Sequence, residues 1–344
     1  MAQKPITIKD IAEKLNISVS TVSRALKDNH EISAQTRKAV QDLAKELGYK
    51  PNPIAVALKT HKSYSIGVVV PQIVSTFFAT VVREIEDMAD SYGYNVLVMS
   101  SNESMAKEKK NVDVLLANRT DGIILSFTHE TDNYEHVKMI QNLGIPLVLF
   151  DRTTNELEVS KVVTDSMAGG FLATQHLISE GCRKIALLMG PGHVNSGGNR
   201  KEGYERALAA NNVPIRPEYI CRCADFSMEA GKEAALKLLS LPDRPDAFFG
   251  ISDDLAIGAM EAIKEKGLSI PQDVAIVGFS NTKRSRYMTP TLSTINQFPE
   301  RIGKAAAYIL FEQIINSKYA KIKKEVVPCE LIVRDSSSRR SAKN

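Results

Sequence analysis

The chain has 344 residues, 43% of them apolar and 24% charged, which is average globular stock and long enough for two or three domains. No run of about 18 apolar residues occurs, which excludes a helical membrane span. Met1 to Leu15 carry charges throughout and lack the apolar core of a signal peptide, so a cytoplasmic address is expected. The net charge of +4 hides an asymmetry, because residues 1–62 carry +5 and the remainder −1. A basic head attracts polyanions, nucleic acid first among them. The four cysteines (Cys182, Cys221, Cys223 and Cys329) are scattered, as buried thiols in a reduced compartment would be. Cys221 and Cys223 lack a second ligand pair nearby, and the six histidines show no metal spacing, so neither a metal nor a cofactor is expected.

The head reads as three short helices. Thr7 can cap the first, with Asp10 reaching back from the third helical position. Ile8, Ile11, Ala12 and Leu15 recur at helical spacing, and Asn16 suits a left-handed turn. Ser18 can cap a second helix with Val22, Ala25 and Leu26 inward. Ser33 can cap a third with Ala39, Val40, Leu43 and Leu47 inward, ending at Gly48. A tight turn between the first two helices makes this a helix-turn-helix module. The second helix turns Val19, Ser20, Ser23 and Arg24 outward, and the N-terminal part of such a helix meets base edges in the major groove. Arg24 can bond guanine with both its arms, while Ser20 and Thr21 can reach bases or phosphates.

The stretches Ile6 to Ala12, Ser18 to Arg24, Thr36-Arg37 and Gly48-Tyr49-Lys50-Pro51-Asn52 together resemble the lac repressor (LacI/GalR) family of transcription regulators. The resemblance implies a homodimer that reads a palindromic DNA operator with two such heads. Its DNA-contacting set would be Thr7, Ser18, Val19, Ser20, Thr21, Ser23 and Arg24 in the head, with Asn52, Ala55, Leu58 and Lys59 beyond it.

Residues 54–59 can form a helix but are too few to hold one alone in water. In the resembled family such a hinge folds against its partner hinge and the minor groove. Leu58 matches the family's wedge, which unstacks a base step and kinks the duplex. The competing reading is that Leu58 packs on the core. One departure is plain: similar hinges carry Arg two residues before the wedge, and here that residue is Val56.

From Ser65 onward, short apolar runs alternate with helical patterns. Strands are expected at Ser65–Val70, Asn95–Ser100, Gly122–Ser126 and Pro146–Phe150, with helices around 77–92, 104–118 and 133–143. A second series has strands at Lys161–Thr164, Lys184–Met189, Tyr219–Cys223, Ala247–Ile251 and Asp273–Gly278, with helices near 167–180, 200–211, 227–240 and 254–266. A helix near 300–316 and a strand near 325–334 follow. The fold class expected is an all-α helix-turn-helix head and hinge helix, then an α/β core of two doubly wound parallel-sheet lobes, periplasmic-binding-protein-like by resemblance. The domains expected are the head at 1–50, the hinge at 51–63 and an effector-binding and dimerisation core at 64–344. Within the core, the first lobe takes 64–161 and 293–323, and the second takes 162–292 and 324–340.

Open parallel sheets bind ligands beyond the carboxyl ends of their strands, so two facing lobes place a pocket between them. The candidate residues are Phe77, Phe78, Asp151, Ser196, Arg200, Phe226, Asp253, Ser280 and Gln297. Aromatic faces mixed with Arg200 and Asp253 suit a polar small molecule such as a sugar or nucleobase. The resemblance assigns ligand contact to Arg200 and Asp253 and stacking to Phe226. It also marks Ser280 as standing where sugar-binding relatives often have Asp.

Gly190-Pro191-Gly192 follows a strand, but Asn195 breaks the dinucleotide-binding pattern. No nucleophile, base and orienting group assemble, so no enzyme is expected. The reading is a transcription regulator, expected to repress, whose DNA grip a small ligand controls. Open alternatives are control by a protein coregulator or nucleobase-type corepressor and, in another class, a solute-binding protein or sugar-metabolising enzyme.

Overall fold

The computed structural model describes residues 6–49, 62–192, 195–316 and 321–339, with the backbone alone at 195–197. The chain divides into two compact units, Met1–Tyr64 and Ser65–Asn344.

The first unit contains α1 (Ile8–Leu15), α2 (Val19–Ala25) and α3 (Ala34–Glu46). Local chemistry sets each boundary. The Thr7 backbone N–H donates to the Asp10 carboxylate at 2.6 Å, fixing the start of α1. Asn16 ends it at φ 51°. The Ser18 and Ser33 hydroxyls accept the N–H groups of Thr21 and Thr36 at 3.0 and 3.2 Å. Ile11, Val22, Ala25 and Val40 are fully buried and, with Ala12 and Ala44, form a small core. Burying each of the larger side chains contributes about 1.5–3 kcal/mol. One expected inward residue is corrected: Ala39 is exposed and Ala44 takes its place, because the axis of α3 turns the 40/44 stripe inward.

The second unit holds two six-stranded sheets. The first sheet contains β1 (Ser65–Val70), β2 (Asn95–Ser100), β3 (Gly122–Leu125), β4 (Leu147–Phe150), β5 (Ser160–Thr164) and β11 (Lys324–Val327), in the order β11-β5-β4-β3-β1-β2. All its pairings are parallel. Its helices are α4 (Thr76–Ser91), α5 (Met105–Ala117), α6 (Glu135–Asn142) and α11 (Pro299–Ile315). The second sheet contains β6 (Ile185–Met189), β7 (Ile220–Arg222), β8 (Ala247–Gly250), β9 (Ala275–Phe279), β10 (Ser293–Asn296) and β12 (Glu330–Ile332), in the order β12-β10-β9-β8-β6-β7. Only β12 runs antiparallel, against β10. Its helices are α7 (Ser166–Ser179), α8 (Asn195–Ala210), α9 (Met228–Leu239) and α10 (Asp253–Glu265). Central strands such as β3, β4, β6 and β8 are buried along their whole length, as expected where helices cover both faces. Each sheet reverses strand order once, at β1/β3 and at β6/β8, and there the carboxyl ends open a crevice.

The lobe boundaries differ from the sequence expectation. The strand at 160–164, expected in the second series, lies in the first sheet between β4 and β11. Ser293–Asn296, expected in the first lobe, lies in the second sheet beside β9. The expected strand at 325–334 is two strands, one in each sheet, parted at Pro328, which has no N–H for a ladder. A repeated strand-helix period shows that strands exist but not which sheet each joins. The chain therefore crosses between lobes three times, after β5, β10 and β11.

The expected helix at 200–211 starts five residues earlier, so Asn195 to Arg200 is helix rather than loop. Its packing against α7 is very close. A Cβ at Gly203 would stand 2.1 Å from the Met167 carbonyl oxygen, and one at Gly170 would stand 2.2 Å from that of Arg200. Gly170→Ala must force α7 and α8 apart and is expected to destabilise the core by about 1–3 kcal/mol. A urea midpoint equal to that of the parent would refute that close packing.

Candidate functional site

In the first unit the outer face of α2 is open. Val19 is 41% exposed, Ser20 and Arg24 are exposed, and Thr21 and Ser23 are half-buried. The Ser18 hydroxyl lies 2.7 Å from that of Ser20 and 2.8 Å from that of Thr21, so the start of α2 carries a linked row of hydroxyls. Arg24 Nη1 pairs with Glu31 at 3.2 Å across solvent. Such a pair contributes at most about 1 kcal/mol, so Arg24 can exchange it for a stronger acceptor. Thr7 sits at the cap of α1, occupied with Asp10. Asn52, Ala55, Leu58 and Lys59 lie outside the described residues.

In the second unit a cleft of about 420 Å³ lies at the carboxyl ends of both sheets. Eight of the nine predicted residues line it: Phe77, Phe78, Asp151, Arg200, Phe226, Asp253, Ser280 and Gln297. The side chain of Ser196 lies outside the described residues.

Arg200 is the most constrained of these. It is 7% exposed. Its Nη1 donates to the Ile251 carbonyl at 2.8 Å and its Nη2 to Gln297 Oε1 at 3.1 Å. Its guanidinium lies 3.9 Å from the centroid of the Phe279 ring. Its Nε is buried without a hydrogen-bond partner. Burial pulls its pKa down to about 10, against the pull of Asp151, so it remains charged at neutral pH. Gln297 is the residue where the chain crosses after β10. Its amide nitrogen donates to the Ser280 hydroxyl at 2.9 Å, which joins Ser280 to Arg200.

Asp253 lines the cleft, but its carboxylate is largely used within the protein. One oxygen accepts the Thr294 hydroxyl at 2.5 Å, and the other accepts the Thr282 N–H and hydroxyl at 2.7 and 2.9 Å. Burial raises its pKa, and these hydrogen bonds oppose the rise. Asp253 thus holds the 280–282 loop as well as facing the cleft. Asp151 begins the turn after β4 at φ 54°, and burial raises its carboxyl above the usual range despite Arg200 and Arg152. Phe77 and Phe78 are buried and belong to the first lobe's core as well as to the cleft wall. Phe226 lies over Gly190, where a Cβ would stand 2.2 Å from its ring. Gly192, at φ 83°, lies where a Cβ would stand 2.5 Å from the His129 carbonyl oxygen. These two glycines make room for an aromatic ring and the facing lobe.

Sequence reasoning missed Arg152, Glu103 and Arg222. Arg152 is buried, bonds both oxygens of Glu103 at 2.9 and 2.7 Å, and faces the rings of Phe78 and Phe226 at 5.8 and 5.1 Å. It therefore touches aromatics from both lobes. The available signal was a basic residue two positions beyond the end of a buried strand. Glu103 comes from a distant loop and also accepts the His129 N–H at 3.0 Å. Among the described residues no cluster of His, Cys, Asp or Glu is placed to hold a metal ion.

Residues 7–52 match the model of bacterial regulatory proteins of the lacI family, and residues 174–337 match the periplasmic binding protein-like domain. The chain is 34% identical to the HTH-type transcriptional repressor CytR of Escherichia coli K12 over 96% of both chains. It is 33% identical to the HTH-type transcriptional repressor PurR of Actinobacillus pleuropneumoniae, over 90% of this chain and 91% of that one. It superposes on the lac repressor dimer bound to operator and the anti-inducer ONPF with a TM-score of 0.87 at 27% identity, covering 97% and 99% of the two chains. The transcriptional regulator CelR–cellobiose complex superposes with a TM-score of 0.74 at 28% identity, covering 96% and 99%.

Burial alone would raise the pKa of Glu103, but the charge and hydrogen bonds of Arg152 and the N–H of His129 bring it below the ordinary value. A depressed carboxylate stabilises the fold above its unfolded pKa of about 4.3, and that contribution fades as pH falls through the folded value. Glu103→Gln is expected to lower stability at neutral pH and to flatten the acid limb of the pH–stability curve. Parallel acid limbs for the two proteins would refute the assignment.

Proposed function

The chain belongs to the lacI family of bacterial regulatory proteins and is a DNA-binding transcriptional repressor rather than an enzyme, and from that premise we propose how it reads its operator and what controls it. Val19, Ser20 and Arg24 meet base edges in the major groove, while Thr7, Ser18, Thr21 and Ser23 approach phosphates or base edges. Leu58 is the minor-groove wedge, and Asn52, Ala55 and Lys59 flank it in the hinge. Two heads, one from each protomer of a homodimer, occupy the halves of a palindrome. The open outer face of α2 on a rigid core and the net +5 of residues 1–62 support this reading. A solved relative described as a dimer bound to operator supports it further. Operator binding places the protein with the chromosome, hence in the cytoplasm.

The controlling ligand is a small polar molecule, a sugar or sugar derivative, held between the lobes. The observation that carries this reading is the convergence of eight predicted residues, from widely separated stretches, on one cleft of about 420 Å³, a volume suited to a small ligand. A similar regulator solved with cellobiose favours the sugar class. Control follows from differential affinity: a ligand that prefers one arrangement of the lobes shifts the dimer toward or away from operator-competent heads.

Arg24→Ala is expected to cost about 1–3 kcal/mol at one base pair and relax discrimination there. Lys59→Ala is expected to weaken all sequences alike and reduce the salt slope by about 1. Leu58→Ala should reduce operator affinity and DNA bending while sparing ligand binding. Fluorescence anisotropy across a salt series, with operator variants, separates these outcomes. Unchanged affinity in Leu58→Ala would sink the wedge assignment. A thermal-shift screen of sugars, sugar derivatives and nucleobases tests the effector cleft, and no change in melting temperature with any of them would count against it.

A further inference from the structure

The wall that the second lobe gives the cleft includes a loop, residues 280–286, which follows β9. Ser280, Thr282 and Arg284 line the cavity, whereas Asn281 and Ser285 do not. The backbone at the start of this loop is unusual. Ser280 stands at φ 132° and Asn281 at φ 50°, both at positive φ. Asparagine adopts positive φ readily, but serine does so at a cost. Such a conformation persists only where its surroundings over-determine it.

Two sets of bonds do this. The first comes from neighbouring elements of the lobe. The Ser280 N–H donates to the Ile295 carbonyl at 2.8 Å, the Asn281 N–H donates to the Thr294 hydroxyl at 3.1 Å, and Thr282 donates to Asp253. The second comes from one residue of the C-terminal segment. Arg334 Nη2 donates to Asn281 Oδ1 at 2.7 Å, and its Nη1 donates to Ser285 Oγ at 2.9 Å and to the Leu292 carbonyl at 2.6 Å. Ser285 in turn donates to the Thr282 carbonyl at 2.6 Å, so the guanidinium ties both ends of the loop together. Arg334 is itself anchored. Its N–H donates to the Ser293 hydroxyl at 2.7 Å, and two residues on the buried Ser336 hydroxyl donates to the Ile276 carbonyl at 2.8 Å. A lysine at 334 could meet one of these three acceptors but lacks the planar fork that spans them.

We propose that Arg334, which does not line the cleft, is the positioning residue that sets Ser280, Thr282 and Arg284 against it, so that the second lobe's side of the recognition surface is fixed from the C-terminal segment. Its meaning for ligand control rests on the cleft being the effector site; the positioning of the loop does not. The alternation along the loop carries the proposal. Arg334 holds the two residues that lie off the cavity, 281 and 285, and the three that line it are their chain neighbours. A staple for the lobe alone needs only the bonds at Leu292 and Ser293, where β10 begins. The bonds to Asn281 and Ser285 reach beyond that strand to the loop.

Trypsin reads the loop directly, because Lys283, Arg284 and Arg286 lie in it and a protease cuts a folded segment only when that segment opens. In full-length Arg334→Gln, cleavage after these three residues, assigned by mass spectrometry, is expected to quicken about tenfold or more, the scale of losing hydrogen bonds from a charged donor. Cleavage after Arg206 in α8 and Lys237 in α9 should change by less than about twofold. Arg334→Lys, which keeps the charge and can hold one acceptor, should fall between the parent and Arg334→Gln. Unchanged cleavage at the loop would overturn the proposal. So would an equal rise at Arg206 and Lys237 with Arg334→Lys no better than Arg334→Gln, the mark of a general staple. Calorimetric titrations with glucose, galactose, cellobiose and adenosine separate this from the effector reading. A probe that binds the parent should bind Arg334→Gln about tenfold more weakly, and equal affinity would refute the role of Arg334 in recognition. If none of the four binds the parent while the loop opens as expected, the effector reading is weakened and the positioning of the loop by Arg334 stands.

Discussion

The second unit is organised around one buried cation. Arg200 stays charged inside a cleft wall, so the surrounding chain must supply acceptors and a polarisable surface. It does so from three distant places: the carbonyl after β8, the crossover glutamine after β10, and the ring that ends β9. Each belongs to a strand's carboxyl end, so satisfying one guanidinium fixes how three strand ends meet. The backbone carrying Arg200 is fixed too, because Gly170 lets α7 approach its carbonyl at a distance no Cβ would allow. Position and charge are therefore set together. Gln297 extends the effect by lying where the chain passes between lobes, bonding Arg200 and Ser280 while Thr164 reaches it at 3.5 Å from the crossover after β5. A change of electrostatic state at Arg200 is thus felt where the lobes join, which is where a ligand's differential affinity must act.

The head obeys a different logic, and this explains why it was legible. Its boundaries are set by partners within a few residues: Thr7 with Asp10, Ser18 with Thr21, and Ser33 with Thr36. Such signals are written locally, so sequence reading reached them, including the left-handed turn at Asn16. Only the rotation of α3 escaped, since Ala39 and Ala44 are equally suited to an inner face by composition. In the core, strands and helices were also legible one by one, because fully buried parallel strands are continuous apolar runs. What escaped was pairing. Nothing within Ser160–Thr164 or Ser293–Asn296 says which sheet it will join, since both edges offer parallel neighbours of the same kind. The helix start at Asn195 was hidden by Gly197 and Gly198, whose low helix propensity reads as loop until packing against α7 overrides it.

The candidate cleft divides along the same line. Residues directly following strand ends could be named in advance, because topology alone brings those ends together. Arg152 and Glu103 could not. Their relation spans 49 positions, and it is visible only when the loop after β2 folds under the end of β4. The pair has a plain physical role. Arg152 faces rings from both lobes, and such a cation must be neutralised from one side if it is to remain between them. Glu103 does this from the first lobe, so the charge is balanced without drawing on the cleft.

That arrangement sharpens what Asp253 and Arg200 are for. A carboxylate that already accepts three hydrogen bonds has little capacity left for a ligand, so Asp253 chiefly shapes the 280–282 loop. Arg200 is the reverse case, with donors remaining after its internal bonds are counted. Ser280, which accepts from Gln297, is tied to Arg200 through that side chain and adds no charge to the cleft. The wall is balanced in charge: Glu103, Glu205 and Asp254 meet Arg152, Lys201 and Arg284, which leaves Asp151 and Asp253 against Arg200 and Arg222. Arg200 is held by the Ile251 carbonyl, Gln297 and the Phe279 ring, so a shift of those strand ends changes how well its charge is met, and a ligand biases the lobes only by preferring one such arrangement.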